Sequence, residues 1–65
     1  MYNGRRNIYT GLSPEERRIV LEEAERNDLD IIRDQGSAIR FSGDSMDSDR
    51  MRENLARRGI YSLYR

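Results

Sequence analysis

The order of local signals along this 65-residue chain predicts an α+β fold, a small ferredoxin-like β-α-β-β-α-β sandwich with two helices on one face of a four-stranded antiparallel sheet. Three observations carry the expectation. A strand-length segment precedes a strong helix start at Ser13. Two short runs rich in β-branched residues flank the turn-forming Asp34-Gln35-Gly36-Ser37. The stretch from Ala38 to Tyr64 then reads as strand, polar loop, helix and strand.

Residues 1–6, with a glycine, an asparagine and two arginines, read as a flexible leader to a single domain spanning 1–65. Asn7-Ile8-Tyr9-Thr10 is a candidate first strand. In Ser13-Pro14-Glu15-Glu16 a serine N-cap, a proline at the first helical position and a glutamate three residues after the cap make a capping box. The helix is expected to run to about Asn27, with Val20, Leu21 and Ala24 as its apolar stripe and Glu22 to Arg26 as an i,i+4 pair. Leu29-Asp30-Ile31-Ile32-Arg33 has two readings. It can continue the helix to Gln35, which leaves a long helix packed on a strand-helix-strand unit. It can also be a strand turning into Ala38-Ile39-Arg40-Phe41, which Asn27-Asp28 favour because both are poor helix-interior residues. Ser42-Gly43-Asp44-Ser45 then forms a loop, Asp47 or Ser48 caps a helix from Ser48 to Arg58, Glu53 pairs with Arg57, and Gly59 provides a left-handed exit. Ile60 to Tyr64 is the expected last strand.

Composition limits what such a domain can do. Leu, Ile, Val and Phe number 5, 6, 1 and 1, together 13 of 65 or 20%, at the edge of what supports a folded core. The chain has neither cysteine nor histidine, so no disulfide or ordinary zinc site staples it, and no cofactor is expected. A thin core completed by a second copy, as a homodimer, is the expectation. No apolar run has the length of a membrane span or a signal-peptide core, which points to the cytoplasm and to no membrane partner. All 12 basic residues are arginine, and they balance 12 acids. The balance is uneven along the chain: residues 1–21 sum to +2, residues 22–49 to −6 and residues 50–65 to +4. Facing acidic and basic segments explain this most simply, and a basic patch for nucleic acid is the alternative.

Period-two alternation places Ile8, Ile31, Ile39, Phe41, Tyr61 and Leu63 toward the helices, with Val20, Leu21, Ala24, Met51 and Leu55, and Met46 is read as further core filling. The open sheet face would then show Tyr9, Ile32, Arg40 and Tyr64, the candidate partner-binding surface. Asp44, Asp47 and Asp49 lack EF-hand spacing and read as a helix-capping loop, so no metal site is assigned. Arg17-Arg18 and Arg57-Arg58 read as solvated helix faces.

Two short resemblances bear on function. Ser42-Gly43-Asp44-Ser45-Met46 is similar to the nucleophile segment of self-cleaving repressors and signal-peptidase-like serine proteases, which implies Ser45 as nucleophile with a lysine base. This chain holds no lysine and no histidine to serve as that base. Ile8-Tyr9-Thr10-Gly11-Leu12-Ser13-Pro14-Glu15 resembles the first-strand motif of RNA-recognition domains, and that resemblance implies Tyr9 as a base-stacking residue. The third strand offers Ser37 and Ile39 where that family carries aromatics.

These readings converge on a small non-enzymatic binding module that regulates or inhibits another macromolecule by protein contact, of the kind found among phage or mobile-element accessory proteins. No small-molecule substrate is expected. The alternative is a single-stranded RNA- or DNA-binding protein that stacks bases on Tyr9, Arg40 and Tyr64 and holds phosphates with Arg5, Arg6, Arg57, Arg58 and Arg65.

Overall fold

The computed structural model describes the backbone of residues 5–63 and the side chains of residues 7–63. It is a small α+β domain in the order β1 (Arg5–Tyr9), α1 (Pro14–Arg26), β2 (Asp30–Asp34), β3 (Ile39–Gly43) and α2 (Ser45–Ala56). The three strands form one antiparallel sheet in the order β1-β3-β2.

Helix α1 begins as its sequence dictates. The Ser13 hydroxyl accepts from the Glu16 amide at 3.2 Å, and the Glu16 carboxylate accepts from the Ser13 amide at 2.9 Å. The helix ends at Arg26, and the chain goes on as a strand, not as a longer helix. Asp28 turns left-handed at φ 59°, and the Leu29 amide reaches back to the Ala24 carbonyl while that of Asp28 reaches Glu25. This is a Schellman ending, with Leu29 seated against the helix it has just left. Helix α2 closes the same way: Ile60 donates to Leu55 and Gly59, at φ 80°, donates to Ala56. The exit glycine stands where the sequence put it.

Helix α2 starts earlier than its expected start at Ser48, with Asp44 at the N-cap position and no side-chain cap bond. Ser45 is its first residue, and the face that turns inward is Ser48, Met51 and Leu55, spaced as one helical stripe. Met46 consequently points out and is 70% exposed, so it does not fill the core.

Helix α2 packs across β1 and β3, and α1 packs against α2. Tyr9, Ile39, Phe41, Met51, Leu55 and Val20 form the fully buried centre, closed at the ends by Leu12, Leu29 and Ile60. The phase of β1 is set by its pairing: Tyr9 stands opposite Ile39 and Asn7 opposite Phe41, so the odd-numbered residues face the helices. That reverses the expected assignment of Ile8 inward and Tyr9 outward. A tyrosine ring removes more apolar area from water than an isoleucine, and here it also meets Phe41 edge to face, with centroids 6.3 Å apart.

The last segment differs most from expectation. Through Leu63 no strand forms; Ile60 enters the core, while Tyr61 and Leu63 are exposed and do not face the helices. The segment still lies along the free edge of β1, where the Leu63 amide donates to the Ile8 carbonyl at 2.8 Å and the Ser62 hydroxyl bridges the Ile8 amide and carbonyl. A serine side chain takes the place of a ladder amide, and pairing goes no further along the described residues. No helix among them is long and apolar enough to cross a membrane.

Candidate functional site

An exposed apolar feature of the sheet lies at β2. This strand is the outer edge of the sheet, and all five of its residues are exposed. Asp30 pairs with Ser42 and Ile31 with Phe41, after which the register slips and Arg33 pairs with Arg40. The slip is a bulge at Ile32. Because Ser42 and Arg40 share a face of β3, the bulge brings Asp30 and Arg33 onto that face as well. Ile31 stands on the helix side, opposite Phe41, yet it is not covered: both Ile31 and Ile32 are 50% exposed. The expectation that Ile31 is core fails because the helices cover β1 and β3 and stop short of the edge strand.

Between α1 and β2 this incomplete cover leaves a groove of about 490 Å³. Its apolar wall is Leu21, Ala24, Leu29 and Ile31; Glu22, Glu25 and Asp30 give it a largely acidic border, with Arg18 as the basic member. Arg18 is already held by Glu15 at 2.6 Å and by Glu22 at 3.3 Å.

The side chains that shape this end were not evident from residue spacing. Arg17, read as solvated, forks onto Asp34 with bonds of 2.7 and 2.8 Å and also donates to the Gly36 carbonyl at 3.1 Å, tying α1 to the β2–β3 turn. With the Gly36 amide as a further donor, this holds the Asp34 carboxyl down at about 2. Glu23 is only 3% exposed, although its side chain is polar. It accepts from Arg26 at 2.9 Å, Asn27 at 3.2 Å and Asn54 of α2 at 3.3 Å, a cluster that joins the two helices. Arg26 therefore pairs with Glu23 at i,i+3, and not with Glu22 as the spacing suggested. Asn7 is fully buried; it donates to the Ser48 carbonyl at 3.4 Å and accepts from Arg52 at 3.0 and 3.3 Å. Polar residues at core positions carry no periodic signal, so pattern reading passes over them.

The candidate partner surface of Tyr9, Ile32, Arg40 and Tyr64 is not one surface. Tyr9 is 0% exposed. Its hydroxyl has no hydrogen-bond partner among the described residues, and burial pushes it up to about 12 against a smaller opposing pull from Arg52. Such a ring can stack on nothing outside the core, which removes Tyr9 as a base-stacking residue. Ile32 is exposed at the β2 edge, Arg40 is half-buried on the open face, and Tyr64 lies outside the described residues.

Of the arginines of the nucleic-acid alternative, only two have described side chains. Arg57 and Arg58 are exposed at the end of α2, on the helix side of the sheet, with Arg57 3.9 Å from Glu53 as expected. Arg5 and Arg6 belong to β1, with backbone alone described, and Arg65 lies outside the described residues. Ser45 opens α2 in a chain with no lysine or histidine to take its proton. Among the described residues no three acidic side chains gather as metal ligands.

No family model, no curated protein and no solved structure matches this chain. The fold and the surfaces described above are therefore what a functional reading rests on.

Proposed function

We propose that the chain is a small non-enzymatic binding module that regulates or inhibits another macromolecule by protein–protein contact, as a phage or mobile-element accessory protein would, and that its contact surface is the edge of β2 with the groove under it. The observation that supports this best is the pair Ile31 and Ile32, each 50% exposed on a strand with a free edge, beside an apolar groove. Unpaired strand edges offer main-chain hydrogen bonds to an added strand, and flanking pockets take its alternate side chains. The border of Glu22, Glu25 and Asp30 selects for a basic incoming segment. We read the fold as ferredoxin-like with a reduced last strand, supported by the bonds of Ser62 and Leu63 to Ile8.

The edge is also complementary to itself. Antiparallel pairing of Asp30-Ile31-Ile32-Arg33 with a second copy places Asp30 opposite the partner's Arg33 and Ile31 opposite the partner's Ile32. The bulge makes this possible, because it sets Asp30 and Arg33 on one face. A homodimer through β2 is the expected resting form, which a target strand displaces.

Light scattering over a concentration series tests the self-pairing. The wild-type chain should be dimeric, Asp30→Arg or Arg33→Asp should be monomeric, and the double exchange should restore the dimer. A wild-type monomer at the highest concentration reached overturns the homodimer. For the target, a photo-crosslinker at Ile32 should capture one predominant protein from host extract, and Ile31→Asp should abolish that capture; capture indifferent to Ile31→Asp refutes the edge as the contact. The nucleic-acid reading keeps one observation in its favour, Arg33 and Arg40 on the open face without a partner among the described residues, and loses Tyr9 as a stacking residue.

A further inference from the structure

The sheet face turned away from the helices carries, besides Asp30, two arginines that have no ion pair among the described residues. Arg33 of β2 and Arg40 of β3 are register partners, so they leave the same face at the ~5 Å spacing of a cross-strand pair. Neither guanidinium has a hydrogen bond or ion pair among the described residues. Among the other described arginines, Arg17, Arg18 and Arg26 are held by carboxylates and Arg52 by Asn7, while Arg50 and Arg58 on α2 and its exit have no partner among the described residues either; Arg33 and Arg40 differ in being set opposite one another. Like charges set directly opposite one another in a sheet destabilise it. Beside the two arginines the surface is concave, a cavity of about 140 Å³ lined also by Thr10, Gln35, Ile8 and Ala38. A water occupies ~30 Å³ of liquid, so the cavity has room for about four or five. That is enough for a tetrahedral oxyanion and part of its hydration.

We propose that this cavity binds a phosphate group, with Arg33 and Arg40 as the charged donors and the Thr10 hydroxyl and Gln35 amide as neutral ones. The guanidinium fork matches two phosphate oxygens at once. A phosphomonoester carries a charge of about −1.5 to −2 at neutral pH, which answers both arginines, whereas an internal phosphodiester carries one charge and leaves an arginine uncompensated. The ligand is therefore a terminal phosphate, on a small phosphorylated metabolite or on the end of a nucleic-acid strand. The site shares Arg33 with the proposed self-pairing of β2, so Arg33→Gln bears on both, whereas Arg40 lies on β3, away from that edge, and Arg40→Gln tests the phosphate site alone.

The test is titration of the isotope-labelled chain with inorganic phosphate, followed by amide chemical shifts against chloride at equal ionic strength. Saturable shifts centred on Thr10, Arg33, Gln35 and Arg40 are expected, weakened about tenfold or more by Arg33→Gln or Arg40→Gln, the loss of one charge-assisted pair. Both variants should remain folded, because each removes one of two repelling charges, and the dispersion of the same spectra checks it. Shifts that are linear in phosphate, are reproduced by chloride, or persist in the double variant overturn the proposal. A nucleoside monophosphate and a short oligonucleotide with and without a 5′-phosphate separate the sources. Equal binding of the two phosphomonoesters assigns a small ligand, and tighter binding of the 5′-phosphorylated strand assigns a nucleic-acid end. Equal binding of the two oligonucleotides refutes recognition of a terminal phosphate.

Discussion

Replacing Tyr9 with phenylalanine should stabilise this domain. The tyrosine ring is fully buried, edge-on to Phe41, and phenylalanine retains that burial and contact. What the substitution removes is a hydroxyl without a partner among the described residues, and a buried polar group left unpaired costs about 1–3 kcal/mol. A gain of about 1 kcal/mol is expected in urea unfolding followed by circular dichroism, with the denaturant slope unchanged. The pH dependence provides a second, linked reading. In the unfolded chain the phenol titrates near 10, and in the fold it is pushed up to about 12, so the native state holds its proton longer. Stability is indifferent to this group below pH 10 and falls as pH rises from 10 through 12, by at most about 2.7 kcal/mol for a shift of two units. Tyr9→Phe should lack that part of the alkaline loss. Tyr9→Ala separates burial from exposure: a core ring costs about 3–5 kcal/mol on truncation, enough to unfold so small a domain, whereas a surface tyrosine costs within ~0.5 kcal/mol. A Tyr9→Phe chain that is less stable than wild type by more than ~1 kcal/mol, with its alkaline limb intact, would refute the argument by showing that the hydroxyl is paired.

Substitutions at two positions test the turns that frame β2. Asp34→Asn removes the fork from Arg17 and the carboxylate whose value is lowered to about 2. A lowered carboxylate stabilises the fold above its unfolded value and loses that contribution as pH falls through the folded one, so the wild-type chain should weaken from about pH 4 toward pH 2. Acid titration of the variant should show a shallower limb there. Asp28→Gly should stabilise by about 0.5–1 kcal/mol in the same urea assay, because Asp28 holds a left-handed conformation that glycine adopts freely. Asp28→Val should cost at least as much as the glycine gains.

Those parts of the fold with local chemical causes were legible in the sequence. The capping box at Ser13, the hairpin turn at Gly36 and the exit at Gly59 each depend on one or two residues with a fixed backbone requirement, and each stands where its residues put it. What failed depended on partners distant in sequence. Whether Ile8 or Tyr9 faces inward is decided by which of them lies opposite Ile39, and the segment Asn7-Ile8-Tyr9-Thr10, with an apolar residue on both faces, does not encode that choice. Ile60 to Leu63 has strand composition, but Ile60 is drawn into the core by the Schellman ending of α2 and Ser62 occupies the Ile8 backbone. The buried polar links of Asn7 and Glu23, and the exposed fork of Arg17 onto Asp34, fall on positions that pattern reading assigns to solvent. Of the candidate partner surface, Ile32 and Arg40 are where a partner could reach them, Tyr9 is not, and the groove beside Ile31 needed the structure, because it exists only where α1 fails to cover an edge.

Exposed edge strands are ordinarily defended by bulges and charges, and β2 has both, so the defensive reading must be weighed against the binding one. A defence works by repulsion: a strand that carries one sign of charge, or a charge aimed inward at the pairing face, makes any added strand unfavourable. On β2 the bulge acts the other way. It moves Arg33 into phase with Asp30 and gives one face charges of opposite sign at positions that antiparallel self-pairing brings together. It also leaves two isoleucines between them half in water, in a chain whose core has few apolar residues to spare. With ~25 cal/mol per Å² of apolar area removed from water, covering those side chains is a gain the isolated fold forgoes and a bound strand recovers. Repulsive design would have put a charge at Ile32. That makes Ile32→Arg the informative change: on a defended edge it alters nothing, and on a binding edge it abolishes association while leaving the half-exposed site, and hence the fold, unharmed.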